Sequence, residues 1–200
     1  MTIEATGLTE AQRRLEGMAA RLRDLTPVTS VAAADTMALI DDSFAQSKSP
    51  DGTAWAPLSD ATLMARARDA AGPSRVTNST IGPLREGQSR TRTRRWTRRR
   101  SEAAASAVFN AKPLIDTGRL RSSMFSRGER DGLKFGTNTG YAAPHQTGSI
   151  KVANRPAMRA FLPVTKAGGT WALMTAGPGG AHWTRVRESI RRYVATGEVT

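Results

Sequence analysis

A stretch that cannot join a core constrains this 200-residue chain more than any other feature. Residues 72–107 are dense in Gly, Pro, Ser, Thr and Arg, and their apolar residues Val76, Ile81, Leu84 and Trp96 show no period. So little apolar surface does not offset the entropy of ordering a segment that long, which predicts a mobile insertion or arm. The core must then come from residues 1–71 and 108–200, two parts of one domain separated by the insertion. The charge is as uneven as the texture. Between Arg85 and Arg100 eight arginines stand against one acid, Glu86, so about half of the chain's net +13 lies there. A balance this basic favours polyanions or acidic protein surfaces as partners and says little about fold.

Before the insertion the pattern is helical. Leu8, Ala11, Leu15, Met18, Leu22 and Leu25 recur at alternating spacings of three and four, which predicts an amphipathic helix from Thr9 to Leu25. Its stripe is expected to pack on its own domain or on a neighbouring subunit. Thr9 and Gln12 fit a capping box, and Pro27 is expected to end the helix. A second helix is expected from Thr29 or Ser30 to about Gln46, with Val31, Ala34, Met37, Ala38, Ile40 and Phe44 largely on one side. Asp51-Gly52 marks a tight turn, after which Trp55 and Leu58 fold back as anchors. A third helix is expected from about Ser59 to Ala70, broken at Gly72-Pro73, and Ser101 to Phe109 resumes helix.

After Pro113 the texture turns toward β. Asp116-Thr117-Gly118 reads as a turn leading into a short helix through Leu120 and Met124. Gly132–Thr137 reads as a strand with Leu133 and Phe135 on one side. Tyr141–Gln146 and Ala160–Val164 are candidate short strands or strand ends. Gly177-Pro178-Gly179-Gly180 reads as a flexible turn before a closing helix, Trp183–Val194, with Trp183, Val186, Ile190 and Tyr193 or Val194 on one face. The fold class is therefore α+β: N-terminal helices, a small mainly antiparallel sheet, a C-terminal helix and a long basic insertion.

Chemistry is hard to find. There are no cysteines, which removes disulfides and the common Cys-based zinc sites and fits assembly in a reducing cytosol. No run approaches the roughly 18 apolar residues of a membrane span. The first apolar stretch is broken by Glu10, Arg13, Arg14 and Glu16, so no signal peptide is expected. His145 and His182 lack the i+3 or i+4 partner of a helical metal motif. No nucleophile elbow, Walker loop or dinucleotide fingerprint occurs. Asp41 and Asp42 are adjacent and diverge on a helix surface. No catalytic residue, cofactor, metal or small-molecule substrate is therefore expected; a hydrolase with His145 as base is the weakest of the readings. The arginine cluster, Arg90, Arg92, Arg94, Arg95, Arg98, Arg99 and Arg100 with Trp96 among them, would bind phosphates and stack a base, or dock on an acidic surface. No helix-turn-helix, zinc finger or RNA-recognition motif accompanies it.

Four blocks in fixed order carry a resemblance. They are Pro50-Asp51-Gly52-Thr53-Ala54-Trp55-Ala56-Pro57-Leu58-Ser59, Leu114-Ile115-Asp116-Thr117-Gly118-Arg119-Leu120-Arg121-Ser122-Ser123, Gly136-Thr137-Asn138-Thr139-Gly140-Tyr141-Ala142-Ala143-Pro144-His145-Gln146-Thr147-Gly148, and Arg155-Pro156-Ala157-Met158-Arg159-Ala160-Phe161-Leu162-Pro163. Together, across roughly residues 40–165, they resemble the phage virion morphogenesis (tail completion) family, that of the phage Mu G protein. The basic insertion falls in that family's variable middle. The last block departs from the family's Pro-Ala-Arg-x-Phe-Leu by the insertion of Met158.

The resemblance implies a minor structural protein at the head–tail junction or the head-proximal end of the tail, assembled in the host cytoplasm. Such a protein completes the tail or joins it to the head as a neck or tail-terminator-like subunit. It implies a homo-oligomer, a ring around a DNA channel, with other neck and tail proteins as partners and non-specific contact with genomic DNA in the channel. Trp55, Thr117, Gly118, Tyr141, His145, Gln146 and Gly148 are the residues it marks for fixing loops or subunit edges. The alternative is a nucleic-acid-binding accessory protein acting through Arg85–Arg100.

Overall fold

Helices open and close the chain in the computed structural model, and two antiparallel hairpins lie between them. The structure describes residues 6–71, 101–148, 158–167 and 170–199. The elements are α1 (Thr6–Arg23), α2 (Thr26–Gln46), α3 (Asp60–Ala71), α4 (Arg119–Ser122), β1 (Met124–Glu129), β2 (Gly132–Thr137), α5 (Ala142–Thr147), β3 (Val164–Ala167), β4 (Thr170–Leu173) and α6 (Gly177–Thr196). Residues 101–109 are helical as well. β1 pairs with β2 and β3 with β4, each antiparallel. The expected α+β class is the one observed.

The described residues divide into two compact units, one from Met1–Ala56 with Thr117–Thr200 and one from Pro57–Asp116. The larger unit is built on α2. Its buried residues, Val28, Thr29, Ala32, Ala33, Thr36, Ile40, Ser43 and Phe44, form one face. The expected face is corrected here: Ile40 and Phe44 are inside, whereas Val31, Ala34 and Ala38 are exposed. The true inner face escapes an apolar count because three of its members carry hydroxyls. Each hydroxyl bonds a carbonyl one turn back, Thr29 to Leu25, Thr36 to Ala32 and Ser43 to Leu39, so its burial costs little.

The small residues of that face admit close neighbours. Gly128 of β1 lies so near the backbone of Thr29 and Ser30 that a Cβ there would overlap it at 2.4–2.7 Å. The Thr29 hydroxyl shares its one proton between the Leu25 carbonyl and the carbonyl of Glu129, 2.8 Å away, and the N–H of Leu25 donates to the carbonyl of Arg130 at 2.9 Å. The two-residue turn of the β1–β2 hairpin is thereby seated on the start of α2. β1 was not visible in the sequence, since its inward residues, Met124, Ser126 and Gly128, present one large apolar group among them. Met124 itself opens the strand instead of extending the short helix before it.

Helix boundaries differ from expectation for identifiable reasons. α1 begins at Thr6, so Thr9 lies within it and is not its cap. α1 ends at Arg23, and Pro27 stands at the start of α2, where its missing N–H is harmless. Tyr141–Gln146 is not a strand: Ala142–Thr147 is a single helical stretch, with Pro144 in the first turn, where a proline is tolerated. Gly177-Pro178-Gly179-Gly180 is not a flexible turn but the first turn of α6. A Cβ at Gly177 would meet the carbonyl oxygen of Asp51 at 2.2 Å, and one at Gly180 the carbonyl of Thr175 at 2.4 Å. The glycines let the helix start press into the Pro50-Asp51-Gly52 turn, where Gly179 N–H donates to the Pro50 carbonyl at 2.6 Å. Ala160–Val164 contributes only its last residue to a strand. β3 and β4 form a hairpin on which Trp171 and Leu173 are half exposed.

The smaller unit contains α3 and residues 101–109. Ser59 accepts from Thr62 N–H at 3.3 Å and starts α3. Arg66 donates to the Lys112 carbonyl at 3.2 Å and pairs with Asp116 at 3.3 Å. None of its described residues is buried, and Met64 and Phe109 are largely exposed.

Close approach of β1 to α2 has a measurable consequence. Gly128→Ala is expected to lower stability by about 2–3 kcal/mol, the cost of forcing backbone apart in a packed core. Gly132→Ala, with nothing within 4 Å of its added methyl, is expected to change little. Urea unfolding of both variants checks this.

Candidate functional site

Three of the four recognised blocks meet at one irregular segment. Residues 158–163 have no regular secondary structure, yet Ala160, Phe161 and Pro163 are buried. Buried backbone outside helices and sheets must find partners elsewhere. Here side chains from two other blocks and from α6 supply them. Gln146, itself buried, accepts from the N–H groups of Phe161 (2.9 Å) and Leu162 (3.0 Å) through Oε1. Through Nε2 it donates to the carbonyls of Leu162 (3.2 Å) and Val164 (2.9 Å). Its amide stands in for a neighbouring strand. Trp55 Nε1–H donates to the Ala160 carbonyl at 2.8 Å, and Trp183 Nε1–H to the Pro163 carbonyl at 2.8 Å. Arg159 N–H donates to the His145 carbonyl at 2.8 Å, while its Nε donates to the Ala56 carbonyl at 2.9 Å.

Aromatic packing surrounds this lattice. Phe44 lies edge-on to Trp55, with ring centres 5.6 Å apart, and 5.7 Å from Phe161. Phe135 of β2 lies 5.6 Å from Trp183. Trp55 is therefore an anchor as expected, with Phe161 packed in the same cluster, and the expected apolar side of β2 meets the expected inner face of α6.

The marked residues separate into inner and outer groups. Trp55 and Gln146 are inside. Gly148 ends α5 at φ 71°, and Gly118 precedes α4 at φ 75°, conformations suited to glycine. Thr117 is exposed and its Oγ1 accepts from Arg119 N–H at 3.4 Å. Tyr141 is about half exposed. The hydroxyls of Ser123, Thr137 and Thr139 form a chain, 2.6 and 2.9 Å apart, that ties the end of α4 to the loop before Tyr141. Arg90, Arg92, Arg94, Arg95, Trp96, Arg98, Arg99 and Arg100 lie outside the described residues, as does Arg85. Sequence reasoning missed Arg159 and Trp183 as hydrogen-bonding members of the lattice: helical spacing marked Trp183 only as part of an apolar face, and Arg159 only fell within a recognised block.

Both histidines are held toward the neutral form. His182 is buried and its Nε2 lies 2.9 Å from the Thr36 hydroxyl. That hydroxyl gives its proton to the Ala32 carbonyl at 2.7 Å, so it accepts from a proton assigned to Nε2. Burial lowers the His182 pKa, Arg185 lowers it further, and Asp35 opposes them. For His145 burial again lowers the pKa, followed by Arg159, and its buried Nδ1 has no hydrogen-bond partner among the described residues. No group of three or more His, Cys, Asp or Glu suited to a metal occurs among the described residues. The arrangement fixes backbone; it presents no nucleophile–base pair.

Comparison with known proteins enters at this point. Residues 6–86 match the model of the phage virion morphogenesis family, about two fifths of the chain. No curated protein and no solved structure matches. The match supports the recognition made from the sequence, a likeness to the phage virion morphogenesis family. That family supports a structural role in virion assembly. Of the four blocks, only Pro50–Ser59 lies within the matched residues. No helix among the described residues is long and apolar enough to cross a membrane.

The lattice and the histidines each set an expectation. Gln146→Leu leaves two N–H groups and two carbonyls without that partner and is expected to cost about 2–5 kcal/mol, whereas half-exposed Tyr141→Ala costs under about 1 kcal/mol. Chemical unfolding of the two variants makes the comparison. Acidification acts through the imidazoles. Because their folded pKa values lie below the ordinary 6.5, the unfolded chain binds protons first as pH falls. Stability is thus expected to be full above about pH 6.5 and to fall progressively below it. Urea midpoints between pH 8 and 5 test this, and His182→Gln should flatten the profile.

Proposed function

We propose that this protein is a ring subunit that completes the phage tail or joins it to the head, at the neck or the tail-terminator position. The observation that carries this reading is the family match over residues 6–86. Two features of the chain agree with it. Three of the four recognised blocks are spent on holding one buried segment in place, as a scaffold requires. The basic excess between Arg85 and Arg100 suits a subunit beside a DNA channel or the acidic surface of a neighbouring protein. The partners on this reading are further copies of the chain and other neck and tail proteins, with DNA touched non-specifically through its phosphates.

Antibody labelling of purified particles by electron microscopy tests the reading. Label is expected at the head–tail junction or the head-proximal end of the tail. Particles free of label and free of the protein on a blot would overturn it. Salt-sensitive DNA binding by the free protein would then favour the accessory protein acting through Arg85–Arg100.

A further inference from the structure

Two exposed helix faces of the larger unit complement each other and do not cover each other within one chain. The first is on α1. Its last turn is tied down: Arg21 donates to the carbonyls of Val194 (2.8 Å) and Ala195 (3.0 Å), and Tyr193 donates to the Asp24 carbonyl at 3.2 Å. Toward the N-terminus, residues 9–16 are all exposed. The apolar stripe lies in the open, with Leu15 65% and Leu22 56% exposed, Ala11 exposed beside them and Met18 partly covered. An isolated helix of this length is marginal in water, and a leucine stripe left uncovered is a surface that seeks a partner.

The second face is the outer side of α2. Val31, Ala34, Asp35, Ala38, Asp42 and Ala45 are exposed and form a stripe nearly opposite the buried face. At 1.5 Å per residue it is about 21 Å long, against about 17 Å for Ala11 to Leu22 on α1. Charge separates the two. α2 has three aspartates and no basic residue, and it is the one named helix of net negative charge in a chain of net +13. α1 has four arginines against two glutamates. Arg14 on one flank of its stripe and Arg23 on the other face the solvent, the former held only by an exposed pair with Glu10. Asp35 and Asp42 form no ion pair among the described residues.

We propose that α1 of one copy docks on the outer face of α2 of the next, with Leu15 and Leu22 over the alanines and the arginines against Asp35 and Asp42. This rests on the reading of the protein as an oligomeric subunit and names the surface that joins the copies. Charge selects this pairing. α1 against α1 sets net positive against net positive, α2 against α2 sets acid against acid, and only the cross-pair is complementary. Size agrees, since leucine knobs fit a surface of alanines better than they fit each other's crowded stripe. The contact joins different surfaces of identical chains, so it is head-to-tail and closes into a ring if the rotation permits.

The chain has no cysteine, which gives a direct test. The double variant Leu15→Cys/Ala38→Cys is expected to give a ladder of covalent multimers on mild oxidation, whereas each single variant stays uncrosslinked. Leu15→Glu/Leu22→Glu and Asp35→Arg/Asp42→Arg are each expected to weaken self-association at least tenfold by sedimentation, with melting temperatures near that of the parent. An equimolar mixture of those two variants should form a capped dimer, because each retains one intact surface. Dimers of Leu15→Cys alone would overturn the head-to-tail arrangement. Unchanged association in both charge and leucine variants would overturn the interface, and loss on deleting residues 85–100 would assign the contact to the arginine segment instead. A parent chain that is monomeric at every concentration also overturns it, while particle labelling decides the virion role separately.

Discussion

The larger unit depends on one constraint: a segment without regular structure, residues 158–163, is buried and must have its backbone polar groups satisfied. A helix or a strand would meet that demand with its own ladder. This segment borrows partners, an amide from Gln146, two indole N–H groups from Trp55 and Trp183, and the carbonyls of His145 and Ala56 for Arg159. Each donor or acceptor comes from a different part of the sequence. The segment therefore joins the turn after α2, the short helix α5 and the closing helix α6, none of which shares a sheet with the others. Loss of one partner leaves a buried group without its bond, at a cost of about 1–3 kcal/mol. The aromatic cluster of Phe44, Trp55 and Phe161 adds the apolar burial that holds the lattice closed.

Close backbone approach is the second requirement. Two hairpins of a few residues each bury little by themselves and are marginal alone. The β1–β2 hairpin becomes part of the unit because Gly128 brings it against the α2 backbone, where Thr29 can reach the Glu129 carbonyl. The same device operates at the other end, where the glycines of α6 sit against the Pro50-Asp51 turn. Polar groups on the inner face of α2 follow from this closeness: Thr36 meets His182 there, and an aliphatic residue would leave the imidazole N–H without an acceptor.

Amphipathic periodicity and turn chemistry were legible in the sequence. The existence of α1, α2, α3 and the closing helix, the Asp51-Gly52 turn, the β2 strand and the anchoring of Trp55 all follow from spacing and residue type. What was not legible follows from tertiary contacts. The inner face of α2 hides among alanines and hydroxyl residues whose burial is possible only because the backbone one turn earlier accepts their protons. Gly177–Gly180 reads as a turn until Asp51 is seen to occupy the space a Cβ would need. Tyr141–Gln146 carries a strand-like composition, yet its decisive residue is Gln146, which needs to face the 161–164 backbone from a helix. Arg159 lies in a recognised block, but nothing local in the sequence shows that its Nε bonds the Ala56 carbonyl or that burial pushes its pKa down.

The division of the marked residues into inner and outer groups carries a consequence for assembly. Gln146, Trp55, Phe161 and the capping glycines are recognisable because geometry allows them few substitutes, and that recognisability reports on the fold. A surface that joins subunits obeys looser rules, since exposed helix positions accept many residues and what matters is the pattern of size and charge. In this chain such a pattern stands out where a stable monomer does not require it. α2 keeps three carboxylates and no base on a protein of net +13, and α1 keeps its leucines in solvent although the chain has alternatives enough to cover or replace them. Asp41 is paired with Arg121 within the chain, but exposed leucines gain nothing from water, and Asp35 and Asp42 form no ion pair among the described residues. On the proposed interface both would gain from meeting a second copy. Fold and assembly would then be specified by different residues: the lattice around 158–164 holds the larger unit together, and the outer faces of α1 and α2 would supply the terms on which copies meet.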